Sequence, residues 1–265
     1  MGAGTRAWST LPDPQVGNRA DAARCVMLRP VEAESREIMA QFVTDFGTLS
    51  TPTDDGRLDA PAFHRNWQPI WSVLARYLQD RTGDVLEVGS GTGQHVVEFA
   101  RKAPNVTWWP SDPDEIHLRS IAAWRLDARL ANLRSPARID VSDPGWELPP
   151  ELGSSCRLLG IFCANVLHIA PWRVAEGLFA GAARHLRADG RMFVYGPFMR
   201  DGTHTAPSNA AFDASLRNAN AEWGVRDTGD VAALAARNGL RMIEIAAMPA
   251  NNLILIFARN NQLEN

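Results

Sequence analysis

Residues 84–100, DVLEVGSGTGQHVVEFA, run from a short apolar stretch through Gly89, Gly91 and Gly93 straight into a helical pattern. A strand that turns on closely spaced glycines into a helix opens a βα unit, and few other folds accommodate that order. Glycine lets the chain turn tightly and lets backbone N–H groups approach a ligand with no Cβ in the way. The spacing is G-x-G-x-G rather than the G-x-G-x-x-G of dinucleotide folds. No lysine directly follows the glycines, which excludes a phosphate-binding P-loop. Two acids frame the turn. Glu87 stands two positions before Gly89, and Asp112 closes the next apolar run about 23 residues after it. In α/β folds that bind nucleosides, an acid at the end of the second strand accepts the ribose hydroxyls. The competing reading is a tight turn that binds nothing; the strand before, the helix after and the acid beyond together disfavour it.

Strand-like and helix-like segments alternate along the rest of the chain. FHRNWQPIWSVLARYLQ carries Trp67, Ile70, Trp71, Leu74 and Leu78 on one helical stripe. NVTWWPSD, ARIDV, CRLLGIFCANV and RMFVYGPF read as further strands, the third of these apolar throughout, as in a strand covered on both faces. DEIHLRSIAAWRLDARLA and PWRVAEGLFAGAARHLRADG read as the helices between them, and TGDVAALAARNG as a last one. RMIEIAAM and NNLILIFAR close the chain, joined by so few residues that the final strand should run antiparallel. The expected fold is α/β: a Rossmann-like, doubly wound, seven-stranded, mostly parallel sheet with an antiparallel last strand. It occupies residues 58–265. Residues 1–57 have scattered Pro, Gly and Thr and one weak helical stretch, VEAESREIMAQFVTDF, and read as an N-terminal extension that serves as a lid or an oligomer contact. A long polar segment from Arg200 to Asp227 reads as a loop-rich insert covering a pocket.

Net charge is −3 and the sequence pI is near 6.1. That balance disfavours nucleic acid as a partner. Lys102 is the only lysine, so acid–base work falls to His, Tyr or carboxylate groups and any anion clamp to arginine. Cys25, Cys156 and Cys163 are too few and too scattered for a disulfide framework; Cys163, inside an apolar run, reads as a buried small hydrophobe. The six histidines lack metal-ligand spacing. No secretory h-region and no apolar run of membrane-spanning length is visible, so the expectation is a cytoplasmic protein without membrane contact, with a homodimer as one arrangement.

The glycine turn and its two acids resemble those of class I S-adenosylmethionine-dependent methyltransferases. That resemblance implies S-adenosyl-L-methionine as cofactor and assigns roles by position. Glu87 and Gly89, Ser90, Gly91 and Gly93 would border the methionine part, and Asp112 would bind the ribose. Asp140 and Val141, after the third strand, would hold the adenine, and Asn165 to His168 would face the sulfonium and the acceptor. Arg65 and Asn66, ahead of the first strand, would cap the methionine carboxylate. The strings RNWQPI, LEVGSGTGQH, WWPSD, NVLHIAPW, YGPF, HTAPSNAAFDASLR, WGVRD and MPANNL resemble the poorly characterised bacterial and animal family that includes methyltransferase-like protein 26. The segment NVLH lacks the Asn-Pro-Pro-aromatic string of enzymes that methylate exocyclic base amines or glutamine amides.

Methyl transfer needs the nucleophile held near the activated methyl group, and a base where that nucleophile carries a proton. His168, Tyr195, His204 and Asp213 are candidate bases or orienters, and Asn165 is a candidate contact to cofactor or acceptor. His204, Ser208, Asn209, Arg217, Arg226 and Asn251 are the candidate substrate contacts, with Arg217 or Arg226 able to clamp a carboxylate. Each also has a plainer reading as core, turn or surface residue. The expected function is methyl transfer to a small polar metabolite. The alternatives are a cyclase or lyase on the same fold that releases methylthioadenosine, and a non-catalytic cofactor-binding protein.

Overall fold

The structure is a computed structural model that describes residues 55–153 and 156–260. The helical stretch expected between residues 31 and 46, and Cys25, lie outside the described residues. Helix α1 (Pro61–Leu78) starts with proline in its first turn, where a missing N–H costs nothing, and buries Phe63, Ile70, Leu74 and Leu78 on one stripe. Strand β1 (Gly83–Val88) then feeds the glycine turn, and helix α2 (Gln94–Lys102) begins directly on Gly93. Strand β2 (Val106–Asp112) ends on the expected acid. Helix α3 (Glu115–Ala128) follows, with Asp114 as its N-cap accepting the Ile116 amide. The remaining elements are β3 (Ala137–Arg138), β4 (Leu158–Ala164), α4 (Trp172–His185), β5 (Leu186–Arg200), β6 (Thr203–His204), α5 (Pro207–Ala219), β7 (Arg226–Asp227), α6 (Thr228–Arg237), β8 (Leu240–Ala247) and β9 (Asn252–Arg259).

The main sheet has the order β3-β2-β1-β4-β5-β9-β8, with β6 and β7 paired to the end of β5. The pairs from β3 through β5 are parallel, and β9 runs antiparallel to both β5 and β8. This is the expected seven-stranded arrangement. Successive side chains point to opposite faces, and both faces are apolar. Leu86, Ile161, Cys163, Met192 and Val194 lie under α4 and α6. Val85, Leu159, Phe162, Phe193 and Tyr195 lie under α1 and α2. The unbroken apolar run of β4 is therefore needed, because each neighbour in the sequence belongs to a different core. Cys163 is wholly buried, as expected, and burial pushes its thiol up to about 12.

Two expectations need correction. The helix expected to run to Asp189 stops at His185, because Leu186 already pairs with Leu158 in the sheet and the register shifts before Arg191 meets Gly160. The polar insert is not mainly loop. It holds the 13-residue helix α5, opened by Pro207 and seated by Leu216. A single apolar anchor per turn gave it too weak a stripe to be read from the sequence.

Candidate active site

The order of the sheet reverses between β1 and β4, and the turns that leave these strands meet there. A Cβ on Gly89 would lie 2.5 Å from Cγ2 of Val166, in the turn after β4. Such a switch point leaves a crevice beyond the carboxyl ends of the strands, the usual ligand position in open α/β sheets. Gly91 has φ +56°, and a Cβ built on it would meet nothing within 4 Å among the described residues, so there the turn presents bare backbone.

Asp112 ties this turn to the next unit. It is 4% exposed. Its Oδ2 accepts the Gly91 amide at 2.9 Å, and its Oδ1 accepts the Asp114 amide at 3.0 Å and the His117 Nδ1 at 3.1 Å. Beneath the turn, Ser111 donates to the Glu87 carbonyl at 2.7 Å. The Glu87 side chain is buried, and its Oε2 has no hydrogen-bond partner among the described residues. Burial pushes that carboxyl up to about 8; a Ser90 hydrogen bond opposes the shift and the charge of Asp112 adds to it. Next to the first strands, Asp140 is exposed with one carboxylate oxygen on the Ser142 amide, and Val141 is buried.

The outer wall of the turn is a strap formed by the segment before α1. Gln94 Oε1 accepts the Ala60 amide at 2.7 Å and the Thr92 hydroxyl at 3.0 Å, while its Nε2 donates to Asp59 at 2.6 Å. Ser120 accepts the Leu58 amide at 2.9 Å and donates to the Thr92 carbonyl at 2.8 Å. One helix turn further along α1, Asn66 Oδ1 meets His95 Nε2 at 2.8 Å, and the Asn66 side chain also hydrogen-bonds the Tyr195 phenol. Burial pushes the Tyr195 phenol up, the Asn66 bond and the charge of Arg65 opposing the shift, and pushes His95 down to about 4. Arg65 itself is exposed.

At the end of β4, Asn165 adopts φ 60° and its amide donates to the Tyr195 carbonyl at 2.8 Å, which aligns the ends of β4 and β5. His168 is 1% exposed, edge-on to Phe198, with both ring nitrogens lacking a partner among the described residues. A Cβ on Gly196 would lie 2.3 Å from its Nε2, so only glycine there admits the ring. Burial, aided by the positive charge of Arg226, pushes His168 down to about 3.

The insert places the other candidates beyond β5. Asp213 is buried and accepts the Val225 amide at 2.7 Å and the Arg217 Nε at 3.0 Å, with His204 Nε2 3.5 Å away. Asn209 donates to Thr205 and to the Asn251 carbonyl, both at 3.0 Å, tying α5 to the turn before β9. Ser208 is exposed. Arg226 Nε donates to the Leu167 carbonyl at 3.0 Å and its Nη2 to the Ala170 and Glu222 carbonyls at 2.7 Å, so the guanidinium braces the loop after β4 against the segment after α5. Arg217 keeps a half-exposed side chain bound to Asp213. His117, His95 and Gln94 were missed by sequence reasoning. The signal for His117 was present, since the fifth residue after a strand-ending acid falls in the first turn of the next helix.

Among the described residues no group of three or more His, Cys, Asp or Glu is arranged to hold a metal, and no helix is long and apolar enough to cross a membrane. The fold is similar to that of several solved methyltransferases. CalO1, a methyltransferase in calicheamicin biosynthesis solved with S-adenosylhomocysteine, has a TM-score of 0.56 at 20% identity over 71% of this chain. An O-methyltransferase family protein from Burkholderia thailandensis has a TM-score of 0.62 at 17% identity over 75%. An O-methyltransferase family 2 protein from Planctomyces limnophilus, in complex with apigenin, has a TM-score of 0.61 at 18% identity over 73%. The chain spans only 52%, 57% and 57% of these three proteins, and at such identities the likeness is one of fold. Residues 57–259 match the family described as "Protein of unknown function (DUF938)", and the chain belongs to that family.

Proposed function

We propose that the chain is an S-adenosylmethionine-dependent methyltransferase acting on a small polar metabolite. The observation that carries the reading is the bond from Gly91 to Asp112, which sets an acid at the end of β2 against a glycine turn left uncovered by the described residues at the switch point of the sheet. The residues present fit the cofactor. The buried Glu87 carboxyl, with Oε2 unpaired among the described residues, suits its ammonium, Asp112 its ribose diol, and Asp140 with Val141 its adenine. Asn66, held between His95 and Tyr195, and Arg65 beside it on α1 suit its carboxylate. The likeness of the quoted sequence strings to the family of methyltransferase-like protein 26 supports the same reading.

When bound, S-adenosylmethionine supplies a methyl group on an already activated sulfonium. The work left to this chain is to position the acceptor and exclude water. Asn165 and Tyr195, joined at the ends of β4 and β5, form the floor for that acceptor. His168 stays neutral at neutral pH, because a buried imidazolium beside Arg226 is unfavourable. It therefore suits holding an acceptor hydroxyl or amine by a hydrogen bond more than carrying its proton away. His204 and Asp213, with Arg217, Ser208, Asn209 and Asn251 on the same insert and the turn before β9, are the groups that would select the substrate.

Mass spectrometry of the nucleoside product tests the reading. The expected product is S-adenosylhomocysteine, formed together with a metabolite heavier by one methylene. Methylthioadenosine as the sole nucleoside would replace methyl transfer by cyclisation or elimination, and binding without turnover would leave a cofactor-binding protein. Asp112→Ala is expected to weaken S-adenosylhomocysteine by about 10- to 100-fold, since hydrogen bonds to a charged group contribute about 1.5–3 kcal/mol each. Unchanged affinity in calorimetry overturns the ribose assignment.

A further inference from the structure

Asp112 already has nearly all its acceptor capacity filled. A carboxylate offers about four lone-pair sites. Three are taken here, by the amides of Gly91 and Asp114 and by the His117 imidazole. A ribose diol donates two hydrogen bonds, one more than the carboxylate has room for. Two of the resident donors are backbone amides fixed by the glycine turn and by the entry to α3, and cannot leave without unmaking either. His117 is a side chain in the first turn of α3, with its own side chain 11% exposed, and it can turn away.

We propose that His117 competes with the cofactor's ribose for Asp112, so that cofactor binding breaks this pair and expels a proton from it. The inference rests on the cofactor reading above and adds a residue and a pH dependence that the reading does not contain. The charges acting on His117 are Asp112 at the end of β2 and Asp114 at the cap of α3. The nearby Glu115 is paired with Arg138 of β3 and Arg119 of α3, and Glu87 of β1 lies behind Asp112. Burial lowers the basicity of His117, but the hydrogen bond and charge of Asp112, with the charge of Asp114, outweigh it and leave the imidazole above its ordinary value. A group whose proton is held more tightly in the free protein than in the complex makes binding weaken as pH falls through the free-state pKa. One competing proton lowers affinity by up to about tenfold per pH unit below that value and leaves it flat above.

The test is calorimetry of S-adenosylhomocysteine with the whole chain between about pH 5.5 and 8.5, in buffers of differing ionisation enthalpy, which report proton release directly. The wild type is expected to lose affinity toward acid and to release protons on binding near pH 6.5. His117→Asn and His117→Phe are expected to lose the slope and the release, with tighter binding than wild type at the acid end. NMR of the His117 imidazole in the wild-type protein supplies a readout that needs no variant: its pKa should drop when S-adenosylhomocysteine is added. A slope that persists in both variants, a pH-independent wild-type affinity, or a His117 pKa that stays or rises on binding overturns the competition and leaves the cofactor reading standing. No binding at any pH overturns both.

Discussion

Gly91 occupies a left-handed position with no described residue near an added methyl group, so alanine there separates the needs of the fold from those of a ligand. Gly91→Ala should cost only the dihedral strain, about 1–2 kcal/mol, while placing a methyl group where a ligand would approach the backbone. Melting a few degrees below wild type, together with S-adenosylhomocysteine affinity weakened by about tenfold or more, is the expected pair of results. Full affinity in this variant would show that the ligand lies elsewhere. Glu87 makes a different statement about the same turn. Its folded pKa of about 8 lies above the ordinary carboxyl value, so between about pH 4.5 and 8 the folded protein holds a proton that the unfolded chain releases. Stability contributed by that neutral carboxyl is present at acid pH and lost as pH rises through this window. Glu87→Gln stays neutral throughout and should melt above the wild type near pH 8.5, while the two converge toward about pH 4.5, a difference worth at least about 1 kcal/mol. Parallel melting curves across that range would show that Glu87 is solvated in the folded protein. The glycines and both acids were legible in the sequence because their spacing is local. The burial of Glu87 was not, since it depends on sheet neighbours distant in sequence, which set it between Pro110 of β2 and Phe162 of β4.

Helices and strands were legible where an apolar stripe or an unbroken apolar run announced them, and less so where a tertiary contact decides. Helix α4 ends early because of a strand partner, and α5 forms on Leu216 and the partly buried Phe212 in a polar segment. The seating of α4 shows the same dependence. Trp146, far off in sequence, donates its indole N–H to the Gly177 carbonyl at 2.9 Å, and a Cβ on Gly181 would lie 2.1 Å from its ring. Gly181→Ala must therefore push the indole or the helix aside. A loss of about 1–3 kcal/mol in denaturant unfolding, typical of overpacking, is expected, and a neutral effect would mean that the tryptophan is free to move. The strap before α1 is likewise invisible as a pattern, because Gln94 and Ser120 hold it with side chains from two different helices. Gln94→Ala leaves the Ala60 amide and the Thr92 hydroxyl without their shared acceptor. Faster amide exchange confined to residues 58–60 and the glycine turn should report the loosening, and unchanged exchange there would remove the strap from any role in shaping the turn.

Two apolar cores on one sheet make the described residues that share it respond together when either side is stabilised. A ligand that binds only the folded form at about 100 times its dissociation constant adds about 2.7 kcal/mol, which for a domain of this size raises the melting temperature by about 5–10 °C. S-adenosylhomocysteine at the same concentration should produce that shift in the wild type and about half of it or less in Asp112→Ala; equal shifts in both would come from a site other than the one described. The doubly wound, mostly parallel sheet followed from the alternation of elements, whereas its strand order and the pairing of Asp112 with His117 needed coordinates, because alternation does not say which face of α3 meets the turn. The reversed direction of β9 has a practical outcome for anyone building assays on this protein. Asn252 starts beside Pro197 at the crevice end of the sheet, and Arg259 finishes beside Leu240 at the other. A fluorophore or surface tether attached just past Arg259 would therefore stand a full strand length from the glycine turn, leaving the crevice open to whatever is offered to it.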